Sequence, residues 1–536
     1  MPYFTTRQTN IFDSFILSEK EREKMDKYLH FLEESGVGKI IDDELDRDYP
    51  KGGRRPYNPY NLFSAIIFAF SKHSGSLRKI EESIMFDTRF MYLMNYEKPS
   101  YVSISKFLNN LVVKKQHAIY FCLVSAFIKL TNISIDDTFL DGTKFEANAN
   151  KYKFVWKPTT FHKKLISNIR EIFSKYGIKT NDYFSSFDMT NYIGKLNGLP
   201  ESRQLKKDYK KLSKYLIKKL EYEEKEEICG NRNSYYKTDQ DATAMCLKED
   251  YYSGLGSNMH AAYNCQIIVS KGIILEYYLS QDRADSGSFI PTIEQFYTDF
   301  GFYPKRICAD SGYGSISNYK FLENNNIENY VKYTMWENEK KGKSINLFNF
   351  DGDGNLYCLN NKKATALTSY SGRHPKHGKY LYLIDDCNYC RYKSACREPT
   401  KDKSKKERVF DVSYDYYRLK EMAKKNLLTR KGIEMRINRS SQVEGAFGTI
   451  KQNMDYDRLR RRGLKNASLE ICLICIGYLI RKLFSFFDGK LKCDYWIAPD
   501  NLLDDYMPII DTKNFKFKKK KKRVKWNPKR KEVLRI

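Results

Sequence analysis

The stretch RSSQVEGAFGTIKQN, residues 439–453, decides how the rest of the chain is read. Val443, Phe447, Ile450 and Met454 fall at i, i+4, i+7 and i+11, one apolar stripe of a helix. Glu444 lies beside that stripe, and Lys451, seven residues on, lies two turns above it on the same side. The same period reaches Arg458 and Arg462. An acid followed by cations along one helix edge suits a place where a metal and a phosphate backbone meet. Taken alone, the plainer reading is an amphipathic helix with a surface Glu–Lys pair.

Composition narrows the classes. A chain of 536 residues predicts several domains, or one core with large insertions, and 41% hydrophobic residues are enough to bury it. The formal charge is +28, with basic residues from end to end. That excess predicts a polyanionic partner bound with an affinity that falls steeply with salt. Acidic lipid is the competing partner. No signal peptide is present, however, and the longest apolar run, ICLICIGYLI (471–480), is too short to span a bilayer and reads as a buried helix. The twelve cysteines lack the dense framework of a small secreted scaffold, which predicts a reduced, cytoplasmic setting.

Residues 1–130 read as a helical domain. RRPYNPYNLFSAIIFAF (54–70) turns into an apolar helix, a second runs from about Ser76 to Phe86, and a third follows Pro99-Ser100, a pattern compatible with a helix-turn-helix that binds DNA. Residues 131–334 alternate strands and helices. ISIDDTFLDGT predicts a strand with Asp141 at its end, where Gly142 lets the chain turn. An inserted helical hairpin spans about 158–235, with the stripes Leu165, Ile169, Ile172, Tyr176 and Leu205, Tyr209, Leu212, Leu216. AAYNCQIIVS (261–270) and GIILEYYLS (272–280) form a β-hairpin joined at Lys271-Gly272. KRICADSGYG (305–314) is a strand ending on Asp310, and NYVKYT (329–334) a further short strand. Residues 335–430 interrupt with short β pieces, four cysteines and the basic run KDKSKKER (401–408). Residues 431–490 carry the Glu444 helix, and 491–536 include the basic tail FKFKKKKKRVKWNPKRK (515–531).

The order of acids carries the chemistry. Three carboxylates at the ends of adjacent elements, Asp141, Asp310 and Glu444, can bind two divalent cations about 4 Å apart. One would activate water or a DNA 3′-hydroxyl and the other would stabilise the leaving oxygen. Phosphodiester chemistry needs this help because its transition state adds charge to an already anionic phosphoryl group. Carboxylates suit the hard cations Mg²⁺ and Mn²⁺. Asp136 and Asp137 are rivals to Asp141, and Asp310 could instead cap the next helix.

DGTKFEANANKYKFVW (141–156), ADSGYGS (309–315) and RSSQVEGAFGTIK (439–451) resemble the three catalytic blocks of DDE transposases, specifically the IS1182 family within the IS4-like group of insertion-sequence transposases. RKIEE (78–82) and ISKF (104–107) resemble that family's N-terminal helical domain. The resemblance implies an α/β fold, an RNase H-like mixed β-sheet catalytic core. It implies Asp141, Asp310 and Glu444 as catalytic metal ligands, with DNA cleavage and strand transfer as the activity. Arg439 resembles the arginine of the group's extended Glu motif, although Asn438 stands where a tyrosine usually precedes it, and Lys451 matches a basic position seven residues after the Glu. Arg439, Lys451, Lys144 and Arg458 are the DNA-binding candidates, and Tyr313 and Trp156 could also touch DNA. The partners implied are the element's terminal inverted repeats and target DNA, held by a homodimer near a bacterial nucleoid.

Cys358, Cys387, Cys390 and Cys396 offer four thiolates for a structural Zn²⁺, with His374 or His377 as replacements and reduced, unliganded cysteines as the alternative. TDQDATAMCLKED (238–250) resembles a further family block without a definite role; Asp239 or Asp241 could order the active-site floor. Asp285 is placed to cap the helix after the hairpin. No GxxxxGK loop suggests ATP dependence. Two other functions fit the composition: an RNase H-fold nuclease or resolvase, and an inactive DNA-binding relative.

Overall fold

The computed structural model describes residues 17–44, 57–72, 75–247, 259–368, 379–385, 387–397 and 407–509. His374, His377, most of KDKSKKER and the basic tail lie outside these residues. The fold is mixed α/β and divides into two compact units. The described residues of Met1–Lys305 with Asn438–Tyr495 form the first, and those of Arg306–Ile437 with Trp496–Ile536 the second.

The first unit begins with helices α1 (Glu19–Glu34), α2 (Val37–Glu44), α3 (Pro59–Ser71), α4 (Leu77–Phe86), α5 (Thr88–Leu93), α6 (Tyr101–Phe107) and α7 (Val113–Thr131). Helix α3 starts where the Asn58 side chain accepts from the backbone of Tyr60 and Asn61, with Pro59 in the first turn, and it is buried on every side. Strand β1 (Asp137–Glu146) pairs antiparallel with β5 (Met259–Ser270), Asp141 facing Ile267. On its other edge β5 pairs with β4 (Thr243–Cys246) and then with β6 (Ile273–Ser280). The β5–β6 turn has positive φ at both Lys271 and Gly272, as a two-residue hairpin with the sheet's own twist demands. A separate ribbon joins β2 (Phe154–Trp156) to β3 (Ser234–Tyr236).

The sequence predicts a helical hairpin between β2 and β3, and the structure has three helices there: α8 (Thr159–Lys175), α9 (Ser186–Leu196) and α10 (Arg203–Cys229). The extra helix has a local cause. Ser185 and Asp188 form a reciprocal capping box that starts α9. Leu165, Ile169 and Ile172 meet Leu205 and Leu212 in the core these helices share, as their stripes predict. After β6 come α11 (Phe289–Phe300) and, much later in the chain, the last helix of the unit, Leu464–Phe487, which contains ICLICIGYLI and is buried over most of its length. No single helix among the described residues is long and apolar enough to cross a membrane.

Glu276 of β6 is buried beside Asp299 of α11 and His117 of α7. Burial, and then the neighbouring Asp299 carboxylate, push its carboxyl well above the usual range. Burial holds the His117 imidazole below its usual value. A folded-state carboxyl pKa above the unfolded one means the native state binds the extra proton. Stability is therefore full below the unfolded pKa and is lost as pH rises through the folded one. Glu276→Gln keeps the shape without the proton. Urea melts as a function of pH should show wild type losing about 1.4 kcal/mol per pH unit across that window relative to the variant; parallel curves would contradict this.

The second unit opens with β7 (Arg306–Ala309), helix α12 (Ile316–Asn324) and β8 (Glu328–Asn329), with β7 and β8 parallel. The predicted strand 329–334 is thus regular only at its start, although Tyr330 and Lys332 still donate to Ile307 and Ala309. Helix α13 (Trp336–Lys340) leads to a β9 (Phe348–Phe350)–β10 (Leu356–Cys358) pair and a three-stranded sheet of β11 (Thr365–Thr368), β12 (Lys379–Ile384) and β13 (Arg408–Ser413). A short helix α14 (Lys393–Arg397) precedes β13, and α15 (Tyr414–Leu428) follows it. Helix α16 (Arg430–Gly448) comes next, and the helix Leu464–Phe487 is α17.

Candidate active site

Asp141 sits in mid-strand: β1 continues to Glu146. The turn expected after Asp141 is absent, and Gly142 serves another purpose. A Cβ at Gly142 would lie 2.3 Å from Nε2 of Gln266, so the glycine makes room for that buried side chain. Gln266 donates to Asn264 Oδ1 at 3.1 Å and to Asp285 Oδ1 at 3.3 Å, and Asn264 donates to the same Asp285 oxygen at 2.8 Å. Asp285 therefore anchors this polar shelf and does not cap α11, whose N-cap is Ser288.

One Asp141 oxygen accepts from the Gly142 backbone at 2.9 Å, and the other from Arg439 Nη1 at 2.7 Å. The Arg439 side chain is 8% exposed and Asp141 27%. Arg439, read from sequence as a phosphate contact, is turned inward onto Asp141. Helix α16 buries Val443 and Ala446 and continues through a π turn, Thr449–Asn453, which buries Ile450. The wider turn displaces Lys451 from the seven-residue alignment with Glu444. Its ammonium donates to Thr143 Oγ1 at 2.8 Å and to the Lys144 carbonyl at 3.3 Å. Glu444, exposed, thus lies between two points at which its helix is fastened to β1. Lys144 Nζ reaches the Cys246 carbonyl at 3.5 Å, and half-exposed Arg458 stands 3.6 Å from Glu146. Backbone bonds tie the Asp457–Leu459 segment to Glu146 at the far end of β1.

The acid-rich block after β3, in which Asp239 or Asp241 is expected to order the active-site floor or to stand in a solvated loop, has defined partners. Buried Asp239 accepts from Tyr263 Oη at 3.0 Å and from the Gly463 backbone at 3.2 Å. Asp241 accepts from the Leu464 backbone at 2.8 Å. These two acids clamp the start of α17, where unpaired N–H groups and the helix dipole favour negative charge.

In the second unit, Asp310 directly follows β7 and precedes a 3₁₀ turn, Ser311–Tyr313, without making a side-chain cap. Its side chain is about half-exposed, with Lys332 Nζ 3.6 Å away. Gly314 is required because a Cβ there would lie 2.6 Å from the Lys332 carbonyl. Tyr313 is buried and belongs to the packing, not to a DNA-facing surface. Cys358, Cys387 and Cys396 pack against one small core with Leu356, Ile384 and Phe410. Among the described residues the four cysteines do not form a group of three within ligand reach of one another.

Two family models match the chain. Residues 16–110 match a transposase domain (DUF772), and residues 357–484, which include Glu444, match a transposase DDE domain. The pairing of these two domains is the architecture of IS1182-like transposases. No curated protein matches the chain.

Proposed function

We infer that the chain, which matches two transposase domain models, is an insertion-sequence transposase that cuts its element's terminal repeats and joins them to target DNA with Asp141, Asp310 and Glu444. The observation that carries this reading is the fastening of the Glu444 helix to the Asp141 strand by Arg439 at one point and Lys451 at another. The core is read as RNase H-like, with residues 1–130 as the DNA-binding domain, 131–334 and 431–490 as the catalytic core, and 335–430 as an insertion. A homodimer would hold the two element ends.

The three carboxylates fit hard divalent cations, Mg²⁺ or Mn²⁺: Glu444 is exposed, Asp310 half-exposed, and Asp141 partly so. Bound there, two such ions would supply Lewis acidity to the phosphoryl oxygens and to the attacking water or 3′-hydroxyl. Arg439 orients Asp141 through a charge-assisted hydrogen bond of 2.7 Å. Lys144 on β1, Arg458 beside Glu146 at its far end, and Lys451 would hold the DNA backbone.

The test is incubation of a terminal-repeat duplex and a supercoiled target with the purified chain in Mg²⁺. Cut ends joined to target support transposition; cutting without joining makes the protein a nuclease. Arg439 gives a sharper check. Arg439→Gln should lower cleavage by about tenfold or more while leaving the salt dependence of DNA binding unchanged, because the arginine acts through Asp141. A slope of log affinity against log salt that falls by about one would mean that it contacts a phosphate.

A further inference from the structure

The segment KYKFVWK, residues 151–157, leaves the far end of β1 and is not used by the reading above. Tyr152 sits between Lys151 and Lys153 in the turn that leads into β2, and Phe154 and Trp156 share one face of that strand, with Lys157 following. A short ribbon strand would normally cover such rings. Instead Tyr152 is 80% exposed, Phe154 45% and Trp156 48%. They are nonetheless ordered against their neighbours. The Phe154 and Trp156 rings meet edge to face at 5.7 Å, and Phe154 leans on buried Tyr236 across the ribbon. The Arg283 guanidinium lies 5.5 Å from the Trp156 ring, and Lys151 lies 5.5 Å from Tyr152. The Lys237 backbone donates to the Lys153 carbonyl, which brings another exposed cation to the same edge.

We propose that Tyr152, Phe154 and Trp156 form a stacking platform for unpaired DNA nucleotides. Exposed aromatic rings gain most from a flat π-face, which bases inside a duplex do not present and unpaired bases do. Lys151 and Lys153 of the same segment, with Arg283 beside Trp156, match the phosphates that connect successive bases. Charge complementarity therefore selects nucleic acid over a second apolar surface. The proposal rests on the transposase reading and deepens it: a staggered cut at an element end, or fraying at the nick, would supply the unpaired nucleotides that the platform would hold.

Fluorescence anisotropy with a labelled oligothymidylate and with a blunt duplex tests it on the full chain. Trp156→Ala and Phe154→Ala should each weaken oligothymidylate binding about tenfold, Trp156→Phe should restore most of it, and duplex affinity should change less than about twofold. Unchanged single-strand affinity overturns the proposal, as does an equal loss on both DNAs. A loss of self-association by Trp156→Ala in sedimentation would make the patch a protein interface instead. Cleavage of the terminal-repeat duplex by the same wild-type preparation separates the two failures: it can succeed while stacking fails, and stacking can hold where cleavage does not.

Discussion

Alanine at Asp141, Asp310 or Glu444 should lower cleavage of a terminal-repeat duplex by on the order of a thousandfold, with DNA affinity changed only a few-fold. That size follows from removing charge stabilisation aimed at a developing oxyanion in a site built around it. The three substitutions should differ in stability. Glu444 is exposed, so its loss should change stability by less than about 0.5 kcal/mol. Asp141 holds buried Arg439 at 2.7 Å, and its removal takes a charge-assisted hydrogen bond from that guanidinium, costing about 1.5–3 kcal/mol. Asp141→Asn retains an acceptor for Arg439 and separates the two effects: cleavage should stay lost while most of the stability returns. Urea unfolding beside gel-resolved cleavage reads both. Near-normal cutting by any one variant would remove that residue from the proposed triad.

What the sequence made legible was whatever depends on near neighbours. The stripe Val443, Phe447, Ile450, Met454 is a local period, and three of its four members are buried. The hairpin at Lys271-Gly272 is also local, since two positive φ values in a row constrain residue choice strongly. Gly142 misled because a glycine after an acid ordinarily marks a turn. Its real constraint is the Gln266 side chain, which is remote in sequence. The partner of Arg439 is equally remote: Asp141 stands on a distant strand, 298 positions away in sequence. The partners of Asp239 and Asp241 were out of reach of the sequence, because Tyr263, Gly463 and Leu464 come to them only in the folded unit. The three helices between β2 and β3 were a nearer miss. The Ser185–Asp188 capping box was present in the sequence and signals a helix start between the two stripes.

Gly477→Leu should destabilise the first unit by about 3 kcal/mol or more, the upper end for forcing volume into a packed core. Glycine inside a helix ordinarily costs about 1 kcal/mol relative to alanine, so its place in the middle of α17 requires a compensating gain. The gain is close approach. A Cβ at Gly477 would lie 2.6 Å from the carbonyl carbon of Phe70 and 2.7 Å from its oxygen, and backbone cannot swing aside as a side-chain tip can. Phe70 belongs to α3, itself buried on every side, so the clash would be transmitted to the helices packed around it. Even Gly477→Ala should be destabilising. Gly445 on α16 has nothing within 4 Å of its would-be Cβ, so Gly445→Ala should stabilise by about 0.5–1 kcal/mol through helix propensity alone. Opposite signs for the same chemical change, measured by urea unfolding, would establish that backbone contact holds Gly477 in place. A Gly477→Ala variant as stable as wild type would show that the two helices can separate at little cost.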